Sequence, residues 1–260
     1  MSACTTAAPT GLNVLIEYGY DGTDFHGSQV QKSHPTVAGA IQNALERLYG
    51  AKLRLATASR TDRGVHARHT GASVKIPDRC GPRLDELARA LNAKLPDSVR
   101  VYRVRRVAPE FHARHAAISR EYRYRWREAI APDALESRYT AYLPMRLDRA
   151  VVCEAANSVC GVHMFYRYCK TESMPDDSSC RVSVSTVRWK GSRGEFRIVA
   201  DRFLHQMVRR LVWALFEIGS GSLNIEAFQA SINDGAPLPR IGVASPKGLT
   251  LWMVQFTKVL

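Results

Sequence analysis

Apolar and polar positions along this chain switch repeatedly between a period of two and a period near 3.6. LNVLIEY (12–18) is an almost unbroken leucine and β-branched run, which predicts a buried strand. The turn-rich stretch YDGTDFHGSQVQKSHP follows it. TVAGAIQNALERLYG then sets Val37, Ile41, Ala44, Leu45 and Leu48 on one helical stripe, with Thr36 placed to cap it and Gly50 to end it. KLRLAT (52–57) and TGASVKI (70–76) read as strands. RLDELARALNAKL (83–95) reads as a helix burying Leu84, Leu87, Ala88 and Leu91, stopped by Pro96. SVRVYRVRRV (98–107) is a further strand. The order is β-α-β-β-α-β, the ferredoxin-like arrangement.

The second half repeats the theme. SREYRYRW (119–126) alternates as a strand does, LDRAVVCEAANSV (147–159) is helical, and CRVSVSTVRWKGSRGEFRIVAD is a hairpin turning between Gly191 and Gly194. FLHQMVRRLVWALFEIG (203–219) predicts a helix with Phe203, Leu204, Met207, Val208, Leu211, Val212 and Leu215 on its buried side. NIEAFQASIND predicts a shorter helix and GLTLWMVQFTKV a closing strand. The expected fold class is therefore α+β, with two ferredoxin-like halves whose helices lie on one face of antiparallel sheets. The expected boundaries are a tail over 1–11, a first half over 12–110 and a second over 111–260, with APEFHARHAA breaking the strand pattern at the junction.

Charge changes the picture next. Lys and Arg number 37 against 24 Asp and Glu, a formal charge of +13. Such an excess favours a polyanionic partner, because neutralising phosphates releases condensed counterions. An open antiparallel sheet with one free face suits RNA, although neither half carries the aromatic consensus of small RNA-recognition modules. The six cysteines form no C-x-x-C pair, which predicts a reducing compartment. Cys160, His163, Cys169 and Cys180 fit no metal spacing, so neither metal nor cofactor is expected. No signal peptide and no membrane-length apolar run is present, and the expected location is the cytoplasm.

Candidate chemistry concentrates in ASRTDRGVHA (58–67). Asp62 beside a glycine has an ordinary explanation as an Asx-turn residue. Arg60 and Arg63 flank it, however, and cations at short range hold a carboxyl ionised, as a nucleophile requires. His66 and His69 suggest an acid–base pair for RNA cleavage, but nothing supplies the geometry, and a structural or phosphate-contacting role is expected instead. In REYRYRW, Tyr122, Tyr124 and Trp126 share one strand face and Arg123, Arg125 and Arg127 the other. Nine Arg and two Glu lie between Arg100 and Arg127, so this basic and aromatic mixture is a candidate RNA surface. Arg209 sits near the edge of an apolar helical stripe and needs water or an acid; an aspartate from a loop of the other half would serve.

YDGTDFHGSQVQ, SRTDRGVHA, LNAKLPDSVRVYRVRRVAPEFHARHAAISREYRYR, FLHQMVRRLV and SPKGLTL occur together and in order. From about residue 12 to 257 the chain resembles the TruA family of tRNA pseudouridine synthases. That resemblance implies isomerisation of uridine to pseudouridine in tRNA, typically at positions 38 to 40 of the anticodon arm, without metal or organic cofactor. It implies two ferredoxin-like halves joined through a continuous sheet, and a homodimer in which one tRNA contacts both subunits. Asp62 matches the nucleophile, Arg60 the residue that fills the place of the flipped base, and Tyr122 the tyrosine stacking on the target uracil. Arg209 matches the partner of the aspartate, and Leu249 an apolar residue of the base pocket. Arg63, His66, Arg123 and Arg125 are weaker candidates for RNA contact. Three residues depart from the family pattern: Ser28 where Trp is common, Arg63 where bacterial members have Ala, and Trp213 where Gly usually stands.

Overall fold

The computed structural model describes residues 11–77 and 81–257. Most of the predicted tail, with Cys4, lies outside the described residues, as does Cys80; Gly11 already pairs with Pro77. The first half consists of β1 (Gly11–Tyr20), α1 (Val37–Tyr49), β2 (Ala56–Thr57), β3 (His66–Pro77), α2 (Leu87–Asn92) and β4 (Val99–Arg106). A single turn, α3 (Ala113–Ala116), leads into β5 (Ala117–Glu128), β6 (Ala141–Leu143), α4 (Arg149–Ser158) and β7 (Gly161–Met164). The chain continues through β8 (Ser179–Lys190), β9 (Arg193–Ala200), α5 (Met207–Gly219), α6 (Ile225–Asn233) and β10 (Leu249–Phe256).

All the strands join one sheet, whose main path is β4-β1-β3-β10-β5-β9-β8-β7, with β2 on β3 and β6 on β5. Within the first half the order is fourth, first, third, second strand. The second half repeats it as β10-β5-β9-β8. The duplication is thus one of topology, and the two copies meet at the edge of β3. There β2 pairs with Ser73 and Ala72, and the chain then leaves the edge, so Thr250 and Leu251 of β10 pair in parallel with His66 and Ala67. The seam leaves no open strand edge between the halves.

The helices keep the predicted faces and differ in length. In α1, Val37, Ile41, Ala44 and Leu45 are buried, the Thr36 hydroxyl accepts from the Gly39 N–H, and Gly50 closes it at φ 67°. The predicted strand over 52–57 is reduced to its last two residues, because the side chain of Gln42 takes the Leu53 carbonyl instead of a neighbouring strand. β3 starts at His66 rather than Thr70, within the candidate motif. α2 is shorter than predicted, with Leu87 and Leu91 buried and Leu84 left in the preceding turn. α5 begins at Met207 and not at Phe203. The cause is Gln206 at φ 65°, the one non-glycine left-handed residue among those described, which interrupts the helical path.

β5 is the structural centre of the second half. Tyr122, Tyr124 and Trp126 are buried on the side where α5 packs, with the Tyr124 and Trp126 rings 5.9 Å and 5.3 Å from that of Phe216. Burying each such ring contributes about 1.5–3 kcal/mol. Trp126 also explains a glycine: a Cβ on Gly194 of β9 would come within 2.2 Å of its indole. The other face of β5 carries Arg123, Arg125 and Arg127, as the alternation predicts.

Candidate active site

The loop from Ser59 to Val65 leaves the sheet beside the seam, and its backbone is braced from several sides. The Thr61 N–H donates to Ser28 Oγ at 2.8 Å, and the Ser28 N–H donates to the Thr61 carbonyl at 3.1 Å. The Thr61 hydroxyl is 2.7 Å from that of Tyr20 in β1. Gly27, at φ 98°, allows the close approach, since a Cβ there would sit 2.9 Å from the Thr61 carbonyl oxygen. Ser28, one of the departures from the family pattern, therefore holds the loop that presents Asp62. Trp213 packs against Gly242, where a Cβ would meet its indole at 2.5 Å, and Arg240 lies over its ring.

The Asp62 side chain is 19 % exposed, and each of its oxygens has a partner from the second half. Arg209 Nη1 donates to Oδ2 at 2.8 Å, across 147 positions of sequence. His205 Nε2 is 3.2 Å from Oδ1. Arg209 is itself held: its Nε donates to the Ala244 carbonyl at 2.8 Å, and its own carbonyl accepts from the Ala244 N–H. At 14 % exposure this guanidinium needs the acid it has found, because an unpaired charge there would be costly. The loop aspartate expected from the other half is Asp62.

These residues lie in a cleft of about 1520 Å³. Pockets for small ligands are usually about 300–1,000 Å³, so the volume suits part of a polymer. Arg60, Arg63, Arg114, Arg202 and Lys247 line it, and Asp62 is its one carboxylate among the described residues. Tyr122 and Leu249 supply apolar lining. The Tyr122 ring meets Phe203 edge-on at 5.0 Å, and its hydroxyl is 3.3 Å from Ser59 Oγ. Burial pushes the Tyr122 phenol up to about 12, so it stays neutral.

Asp62 and Arg209 are thus in contact, and Arg60, Arg63, Tyr122 and Leu249 line the same cleft. Three weaker candidates lie away from the cleft. His66 is 4 % exposed: the first residue of β3 turns inward, its Nδ1 accepts from the Gly22 N–H at 3.1 Å, and Tyr139 packs edge-on against its ring. Burial lowers its pKa, a shift that Asp21, 3.1 Å away, only partly opposes. It offers no surface to a phosphate. His66 and His69, three apart on one strand, also point to opposite faces and form no acid–base pair. Arg123 and Arg125 lie on the opposite face of β5 from Tyr122. Both stand over the Trp252 ring and pair with Glu195, and Arg123 pairs with Glu121 as well. No three His, Cys, Asp or Glu side chains converge on a metal-sized site among the described residues. No described helix is long and apolar enough to cross a membrane.

His205 and Ser28 were not identified as site residues from the sequence. His205 lies before α5 and reaches Asp62 through the bend at Gln206, so its spacing of four from Arg209 carries no signal.

Residues 155–257 match the family model described as tRNA pseudouridine synthase. Curated relatives extend the similarity to nearly the whole chain. The tRNA pseudouridine synthase A of Roseiflexus castenholzii is 34 % identical over 249 residues, covering 94 % of this chain and 90 % of its own. That of Chlorobium chlorochromatii is 36 % identical over 246 residues, covering 94 % and 99 %. That of a Geobacillus species is 33 % identical over 242 residues, covering 91 % and 95 %.

Proposed function

This chain belongs to the tRNA pseudouridine synthase A family, and on that premise we propose that Asp62 is the nucleophile with which it isomerises uridines in the anticodon arm of tRNA. The observation that carries this reading is the one carboxylate of a basic cleft among the described residues, paired with Arg209 at 2.8 Å. In the reaction the N1–C1′ bond breaks, the uracil turns, and C5 bonds to C1′. The C5 proton leaves and N1 gains one, so the product is an isomer and no oxidant, reductant or co-substrate enters the balance. Attack at ribose C1′, formation of a glycal and addition at uracil C6 all need the same carboxylate.

The rest of the cleft divides the work. A duplex base is out of reach, so the target uridine is taken out of its stack at a cost of a few kcal/mol. Tyr122 stacks on the extruded uracil against the apolar side chain of Leu249. Arg60 occupies the position the base leaves, and Arg63 and Lys247 hold flanking phosphates. Residues 12–110 and 111–260 act as the two arms of this cleft. The working unit is a homodimer, with each tRNA touching both subunits, and it acts in the cytoplasm without a cofactor.

Tritium release from tRNA labelled at uridine C5 tests the assignment, because the C5 hydrogen leaves only when C5 becomes the glycosidic carbon. Wild-type protein is expected to release tritium, and Asp62→Asn is expected to bind tRNA without releasing any. Release by Asp62→Asn would remove Asp62 as nucleophile. Binding without release by either protein would mean an RNA-binding relative that performs no chemistry.

A further inference from the structure

Arg209 accounts for one oxygen of Asp62, and the other has a partner of its own. Oδ1 is 3.2 Å from His205 Nε2, and the second ring nitrogen, Nδ1, is 2.8 Å from Ser173 Oγ in a 3-10 turn over Thr171–Ser173. The backbone at both anchors is tied as well: the Lys170 N–H donates to the His205 carbonyl at 3.0 Å, and the Ser173 N–H donates to the Lys170 carbonyl at 2.9 Å. The residue after His205 is Gln206, the left-handed one. Strained residues of that kind persist where surrounding contacts over-determine them, and they cluster at functional sites. Here the bend carries His205 off the helical path while Arg209 stays on the first turn of α5, so both reach one carboxylate.

We infer that His205 is a positioning residue, which together with Arg209 fixes the plane of the Asp62 carboxylate. The inference rests on Asp62 being the nucleophile. An aspartate's terminal torsion is broad and two-fold. Arg209 contacts one oxygen through one nitrogen, which leaves rotation about that torsion open. The His205 ring, with Nε2 3.2 Å from the second oxygen, closes it, and misalignment at a reacting atom is expensive in rate. Ser173 fits the tautomer this needs. Its hydroxyl can donate to Nδ1, which leaves the ring proton on Nε2, the nitrogen next to Oδ1. The opposite tautomer would bring a lone pair against the carboxylate. His205 keeps its proton throughout, and the proton that leaves C5 is not assigned to it.

The competing role for a histidine that lines a basic cleft and is 41 % exposed is a phosphate contact. The two roles separate in kinetics. His205→Ala should lower the single-turnover rate on tRNA by about 10- to 100-fold, the range of one hydrogen bond to a charged group, with the Kd for tRNA unchanged. His205→Gln, whose amide can donate from nearly the same place, should recover most of that rate. Ser173→Ala should cost a few-fold. An unchanged rate in His205→Ala, a Gln variant no better than Ala, or an effect confined to Kd would each overturn the inference. ¹⁵N NMR of the ligand-free protein tests the contact without turnover: the ring should carry its proton on Nε2, and its signals should move in Asp62→Asn. A proton on Nδ1, or no response to Asp62→Asn, would also overturn it. If wild-type protein released no tritium while these signals behaved as expected, the nucleophile assignment would have failed and the His205–Asp62 contact would stand.

Discussion

Arginines gather both behind the sheet at β5 and in the cleft in front of it, and the two groups differ in what they face. Behind the sheet, Arg123 and Arg125 share Glu195, Arg123 and Arg197 share Glu121, and both Arg123 and Arg125 lie over Trp252. Every one of those arginines has an acid. In the cleft, Arg60, Arg63, Arg114 and Lys247 face a single carboxylate, already taken by Arg209 and His205, while Arg202 pairs with Asp177. Counting arginines along REYRYRW therefore identifies a basic strand but not a ligand surface. What marks a phosphate-binding face is positive charge without a local partner, because a paired arginine must surrender its acid before it can neutralise RNA.

The comparison breaks most sharply at the shared carboxylate. Asp62→Asn should lower turnover at least about a thousandfold, the order seen when one member of a catalytic set is removed. The measurement is single-turnover tritium release at saturating protein, with tRNA affinity followed separately. A large fall in affinity with little change in rate would shift Asp62 from chemistry to binding.

Salt titrations sharpen the contrast between the faces. Removing a cation that neutralises one phosphate should reduce the slope of log K against log salt by about 0.9 for a duplex and about 0.7 for a single strand. Arg63→Ala and Lys247→Ala should each do so. Arg123→Ala and Arg125→Ala should leave the slope where it is, whatever they cost in stability through Glu195. A slope change from either back-face variant would mean that RNA reaches behind the sheet.

Tyr122 tests the apolar side of the cleft at smaller amplitude. Tyr122→Phe keeps the ring and should stay within a few-fold of wild type. Tyr122→Ala should fall by about 5- to 150-fold in single-turnover rate, the worth of stacking one base. Equal falls in the two variants would give the hydroxyl, near Ser59, the larger share.

Much of this was legible because it is local. The stripe of α1, its Thr36 cap and Gly50 stop, the alternation in β5 and the repeated β-α-β-β-α-β order all follow from periodicity over a few residues. The need of Arg209 for an acid was legible too, since an arginine at the edge of an apolar stripe states its own requirement. What stayed hidden depends on distant partners or on one backbone torsion. Gln206 carries no glycine-like signal, yet its left-handed conformation shortens α5 and brings His205 to Asp62. The burial of His66 depends on Asp21 and Tyr139, which no spacing within RTDRGVHA reveals. Ser28 reads as a missing tryptophan and proves to be a clamp on Thr61.

The smallest effect concerns how the cleft rim is held. Arg138 and Tyr139, in the segment between β5 and β6, both donate to Asp21 Oδ2 across the two halves, at 3.1 Å and 2.9 Å. Burial raises the Asp21 carboxyl, but hydrogen bonds from the Thr23 hydroxyl and amide and from Tyr139, with the nearby His66, outweigh it and bring the value from 3.8 down to about 2. A depressed carboxylate stabilises the fold above its unfolded value and loses that contribution as pH falls through the folded one. Asp21→Asn should therefore be less stable than wild type at pH 6 by at most about 2 kcal/mol, and the gap should close between pH 4 and pH 2. Urea midpoints for the two proteins across that range decide it. A gap that persists unchanged at pH 2 would mean that Asp21 acts through the shape of its hydrogen bonds and not through its charge.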